Sequence, residues 1–119
     1  MALKTIVAAL TDLFFLVHIT GPAKQLGMQV ANVKDKASAL AKLQADAAVL
    51  VIDLTCTAVE PLDLIREAKA AAPAVSIIGF LPHVQIELRE RALAAGCDTV
   101  LPRSAFAQKL PELLAAVPR

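Results

Sequence analysis

Two nearly unbroken apolar runs, Ile6–Leu10 and Val49–Leu54, constrain this chain more than any other feature, the second being interrupted only by Asp53. A strand with one wet face alternates apolar and polar residues. These runs do not alternate, so both faces need cover, as in a parallel sheet. Other runs of strand length fall at Thr5–Leu10, which contains the first, and at Gln29–Val33, Ala48–Leu54, Val75–Leu81 and Thr99–Leu101. Segments of helical spacing lie between them. Lys36–Gln44 puts Ala37, Leu40, Ala41 and Leu43 on one face. Pro61–Ala72 does so with Leu62, Leu64, Ile65 and Ala68, Val84–Ala95 with Ile86, Leu88, Ala92 and Leu93, and Ala105–Val117 with Phe106, Leu110, Leu113 and Leu114.

The order is βαβαβαβαβα. Right-handed crossovers place helices on both sides of the sheet. The expected architecture is a three-layer, doubly wound α/β fold with five parallel strands in the flavodoxin-like order 2-1-3-4-5. Its ligand crevice lies at the C-terminal ends of strands 1 and 3. Gln29 and Asn32 make strand 2 the more polar one, fit for a sheet edge. The first helix spans about Asp12 to Leu26, with Asp12 as N-cap. Gly21-Pro22 predicts a kink or break, because proline removes a hydrogen bond and clashes with the carbonyl of His18. Gly27 and Gly96 each follow a helical segment and suit left-handed helix ends.

A chain of 119 residues is expected to form one domain, residues 1–119. Net charge is +1, from 12 basic and 11 acidic residues in no long run, so nothing points to a polyanion. Trp and Tyr are absent and only four Phe occur, too few for a base-stacking surface. Nucleic acid is not an expected partner. No apolar stretch of about 20 residues occurs, so no membrane span is expected. No signal peptide is visible, because the first apolar run is broken by Thr11 and Asp12. Cys56 and Cys97 are too few for a disulfide framework and are expected as ordinary thiols. A cytoplasmic location fits these features.

Asp53 closes the most apolar strand, at the strand end where this architecture binds ligands. With Asp53, the segment Arg91-Ala92-Leu93-Ala94-Ala95-Gly96-Cys97-Asp98 and the final Leu113-Leu114 helix, the chain resembles a response-regulator receiver domain of two-component signalling over nearly its whole length. The resemblance implies that Asp53 stands at the phosphoacceptor position of a phosphorelay. It also implies an acidic pair that binds Mg²⁺, a hydroxyl after strand 4 and a lysine after strand 5. Here Ala9-Leu10 stands for the acidic pair, Leu81 is in the region of the hydroxyl, and Arg103 replaces the lysine, with Pro102 ahead of it. Asp12 is the nearest acid, two or three residues late, and would reach the pocket only through a rearranged loop. Mg²⁺ binding is therefore not expected, and neither is ordinary phosphotransfer. An Asp53–Arg103 ion pair is expected to hold the site in one state.

The expected crevice lining is Asp12, Thr55, Leu81, His83 and Arg103 beside Asp53. No catalytic or metal-ligating set is assigned, since His18 and His83 lack ligand spacing. His18 is expected as a partly buried core residue. Phe14-Phe15-Leu16 is expected in the core, with outward exposure of Phe15 or Leu16 as the alternative. Leu88, Val100 and Phe106 are interface candidates, because receivers commonly dimerise there. The leading functional reading is a non-enzymatic pseudo-receiver that binds a protein partner, itself unidentified, with a homodimer as one form. One alternative is a working atypical response regulator phosphorylated on Asp53. Another is a flavodoxin-like domain binding a small anion or cofactor, for which no Gly-rich loop is present.

Overall fold

The computed structural model describes residues 4–83 and 85–116. Five strands form one parallel sheet: β1 (Thr5–Ala9), β2 (Gln29–Val33), β3 (Ala47–Asp53), β4 (Ser76–Leu81) and β5 (Thr99–Pro102). Five helices connect and follow them: α1 (Leu13–Gln25), α2 (Lys36–Asp46), α3 (Pro61–Ala71), α4 (Ile86–Ala95) and α5 (Arg103–Ala115). The strand order is β2-β1-β3-β4-β5, as the apolar runs predicted. β2 is an edge, and its Asn32 turns inward across the pairing. Asn32 Nδ2 donates to the carbonyls of Ala8 at 2.9 Å and Leu10 at 3.0 Å. The end of β1 is thereby held at the mouth of the sheet.

Strand alternation divides the core into two layers. Val7, Ala9, Leu50, Ile52, Ile77 and Leu81 face α2, α3 and α4. Ile6, Ala8, Leu10, Val49, Val51, Ile78 and Phe80 face α1 and α5. Every apolar side chain of β1 from Ile6 to Ala9 and of β3 from Val49 to Ile52 is fully buried, which is why neither strand alternates. No described helix is long and apolar enough to cross a membrane.

Two expectations need correction. α1 runs unbroken through Gly21-Pro22. Fully buried Ile19 and Ala23 flank the proline and hold the last turn on the sheet, and that packing outweighs one missing hydrogen bond. α5 begins at Arg103, two residues before the expected start, and also accommodates an internal proline, Pro111. The expected helix ends at Val84 and Val117 lie outside the described residues. Gly27 and Gly96 do adopt positive φ, at 69° and 122°.

Both cysteines are buried and unpaired. Cys97 Sγ donates to the Thr99 carbonyl at 3.1 Å. Burial pushes its thiol up to about 11, from an ordinary 9.0. Because the folded value is the higher one, Cys97 stabilises the fold below pH 9, and that contribution is lost as pH rises through 11. Urea midpoints measured from pH 8 to 11 should therefore fall more steeply for the wild type than for Cys97→Ala. Parallel curves would refute this.

Candidate functional site

The crevice forms where β1 and β3 end and α1 and α5 begin. Asp53 occupies the last position of β3, opposite Phe80 of β4, and only 6% of its surface is exposed. Its side chain follows Val49 and Val51 toward the α1–α5 layer, as strand alternation requires. Asp53 Oδ1 accepts hydrogen bonds from the Thr55 amide at 2.9 Å and the Thr55 hydroxyl at 2.7 Å. This local turn commits one carboxylate oxygen and leaves Oδ2 for the cleft.

Asp12 faces the same cleft from the start of α1. Its Oδ1 accepts from the amides of Phe14 at 3.1 Å and Phe15 at 3.2 Å, capping the helix. Its Oδ2 lies 3.4 Å from Arg103 Nη2. That same nitrogen lies 3.9 Å from Asp53 Oδ2. Asp12 therefore reaches the pocket from the start of α1. It does so because a cap needs only one carboxylate oxygen. The expected Asp53–Arg103 pair is present, at the outer limit of ion-pair distance, and the contact with Asp12 is shorter.

Aromatic rings form the floor. Phe15 stacks on Phe80 with centroids 4.4 Å apart, and Phe106 lies 5.1 Å from both. The Arg103 guanidinium carbon sits 4.8 Å from the Phe15 ring centre and 5.8 Å from that of Phe80. Arg103 Nε is buried beside these rings without a hydrogen-bond partner. The rings offer cation–π attraction in place of an acceptor for that edge of the guanidinium.

Other expected positions fall elsewhere. Leu81 points with Ile77 to the opposite core layer and lines a depression with Ile86, Val100 and Pro102, so it does not join the crevice. His83 is exposed beyond β4, and among the described residues no hydrogen bond or ion pair links it to Asp53. His18 is exposed rather than partly buried; its ring lies 5.2 Å from that of Phe15. Phe106 is fully buried in the aromatic floor and cannot serve as an interface residue. Leu88 and Val100 are partly buried against the core, and the exposed apolar side chains of α4 are Ile86 and Leu93.

On α1, Phe15 is buried and Leu16 half-buried, while Phe14 is 92% exposed. Leu13 and Val17 flank it on the outer face, also exposed. Sequence reasoning named the wrong outward residue because it did not set the helix phase. Buried Phe15, Ile19 and Ala23 follow an i, i+4, i+8 spacing that leaves Phe14 on the far side. Thr55, expected in the crevice, does hold Asp53 there through a local turn, whereas the inward role of Asn32 rests on a cross-strand contact that leaves no legible signal.

Solved structures of similar architecture include response regulators. A response regulator receiver domain protein (CheY-like) from Methanospirillum hungatei JF-1 superposes with a TM-score of 0.82 at 20% identity, covering 96% of this chain and 92% of that one. This is the receiver fold. A response regulator from Thermotoga maritima matches with a TM-score of 0.82 at 16% identity, covering 96% of each chain. A third, from Burkholderia pseudomallei, was solved with a phosphorylated aspartic acid, a calcium ion and citrate. It matches with a TM-score of 0.78 at 21% identity, covering 98% of this chain and 67% of that one. No protein-family model matches this sequence. No curated protein matches it either.

The receiver resemblance implies Mg²⁺ beside the aspartate, and the residues here do not fit that ion. Ala9 and Leu10, in the place of the acidic pair, are fully buried apolar residues. One oxygen of Asp12 is spent on the helix cap, and a guanidinium faces the other. No group of three or more His, Cys, Asp or Glu suited to a metal ion occurs among the described residues. Mg²⁺ takes near-octahedral oxygen ligands, several of them water, and here a guanidinium stands between the two carboxylates where that shell would gather.

Proposed function

We propose that this protein is a receiver-like signalling module that acts by binding another protein, without catalysis and without Mg²⁺-dependent phosphorylation of Asp53. The arrangement of Arg103 between Asp12 and Asp53 carries this reading. A phosphoryl group on Asp53 would bring roughly two negative charges into a cleft that already holds a second carboxylate. Phosphoryl transfer needs its charge neutralised by metal and cations, and here a single guanidinium is already shared. A small anionic ligand meets the same two carboxylates, which speaks against a cofactor role. Leu13, Phe14 and Val17 on α1 offer an apolar contact surface beside the cleft.

A second reading, phosphorylation of Asp53 in an atypical response regulator, is favoured by one observation. Asp53 stands at the end of β3, in a fold shared with a Burkholderia pseudomallei protein that carries a phosphorylated aspartic acid. Incubation with Mg²⁺ and beryllofluoride, or with acetyl phosphate, separates the two. The expected result is no added mass and no saturating amide shift at Asp53. Stoichiometric phosphorylation, or saturation by beryllofluoride, would establish the second reading instead.

A further inference from the structure

We propose that Arg103 is the resident cation of this cleft: its guanidinium takes the part a divalent metal would play, and its presence is what makes the site refuse one. This rests on the reading above that the cleft takes no Mg²⁺, and it names the cause.

The geometry starts from two carboxylates converging on one nitrogen. Asp12 Oδ2 and Asp53 Oδ2 lie 3.4 and 3.9 Å from Arg103 Nη2. Both Oδ1 atoms are already occupied by backbone or hydroxyl donors. What remains is a pair of oxygens aimed at the same place, with a positive charge set between them. Asp53 is almost fully buried, so an unpaired charge there would carry a large desolvation cost. A guanidinium meets that need permanently, since it does not lose its proton in proteins.

Arg103 is also held there against a local preference. It is the first residue of α5, at the positive end of the helix dipole, where cations are disfavoured. Pro102 precedes it at φ −67°, giving the chain a fixed entry to the helix. The Phe15 and Phe80 rings support the flat face of the guanidinium. Carboxylates on one side and rings on the other outweigh the dipole. The side chain then ties three segments together: the start of α1, the end of β3 and the start of α5.

Removing the guanidinium should uncover two Oδ2 oxygens able to hold a hydrated divalent cation, since Mg²⁺ keeps several of its waters and needs few protein ligands. The test compares wild type, Arg103→Gln, Arg103→Lys and the double variant Asp12→Asn/Arg103→Gln. Each is titrated with MgCl₂ against NaCl of matched ionic strength, following thermal unfolding and amide shifts around Asp12 and Asp53. Arg103→Gln is expected to gain stability with Mg²⁺. The folding equilibrium constant should rise roughly tenfold when Mg²⁺ reaches about ten times its dissociation constant. Wild type, Arg103→Lys and the double variant should not respond.

If neither wild type nor Arg103→Gln responds, this inference falls and the proposed function stands. If wild type responds as strongly as the variant, both fall. Should Arg103→Gln not fold alone, folding on addition of Mg²⁺ supports the inference, and failure at every Mg²⁺ concentration overturns it.

Discussion

Phe80→Ala should lower stability by about 3–5 kcal/mol, the range for removing a fully buried aromatic ring. Phe80 has no exposed surface and lies between Phe15 and Phe106, with centroids 4.4 and 5.1 Å away. Those two rings come from α1 and α5, so the loss falls on the contact that joins both helices to the sheet. The consequence reaches the cleft, because Phe80 also supports the guanidinium of Arg103. Phe80→Leu keeps most of the volume and should cost about 1–1.5 kcal/mol. Urea unfolding of the two variants tests this. A Phe80→Ala loss near that of Phe80→Leu would mean that the aromatic floor is not the main tie between these helices and β4.

Gly96→Ala is expected to cost about 2–4 kcal/mol, much more than a surface glycine normally would. Gly96 ends α4 at φ +122°, a conformation that a β-carbon strains. An added Cβ would also come within 2.7 Å of Lys69 Cγ. Lys69 is not free to swing aside. Its Nζ donates to the Val75 carbonyl at 3.1 Å and to Asp98 Oδ2 at 3.1 Å. Asp98 Oδ2 in turn accepts from the Ile77 amide at 2.8 Å, at the beginning of β4. Moving Lys69 therefore loosens the start of a central strand. Gly27→Ala is the control: φ there is +69° and nothing lies within 4 Å of the added carbon, so about 1 kcal/mol should be lost. In Lys69→Ala the clash partner is gone, so the Gly96 penalty should shrink on that background. Equal penalties at Gly27 and Gly96, or an unchanged penalty without Lys69, would remove Lys69 from the explanation.

This network also gives a physical reason for the Gly96-Cys97-Asp98 segment. In the sequence it is only a weak pattern before a strand. In the fold, Gly96 permits close approach to Lys69, and Asp98 caps the start of β4 while pairing with that lysine. Neither role is visible from spacing, because the partners are 27 and 29 residues away.

The sequence by itself determined the layers and the strand order. Burial on both faces forces continuous apolar runs, and helical spacing between them leaves few ways to connect parallel strands. It also placed Asp53 at the mouth of the sheet, since the last residue of a buried strand has one direction left in which a carboxylate can meet water. Only the tertiary structure decided what surrounds Asp53. The rotation of α1 about its axis buries Phe15 and exposes Phe14, a choice that four adjacent apolar residues, Leu13–Leu16, do not encode locally. The junction of β5 and α5 sets Arg103 between Asp12 and Asp53, residues 91 and 50 positions away in the chain. A one-dimensional pattern records which residues must be dry. It does not record which charges, brought from distant segments by packing, will share one cleft.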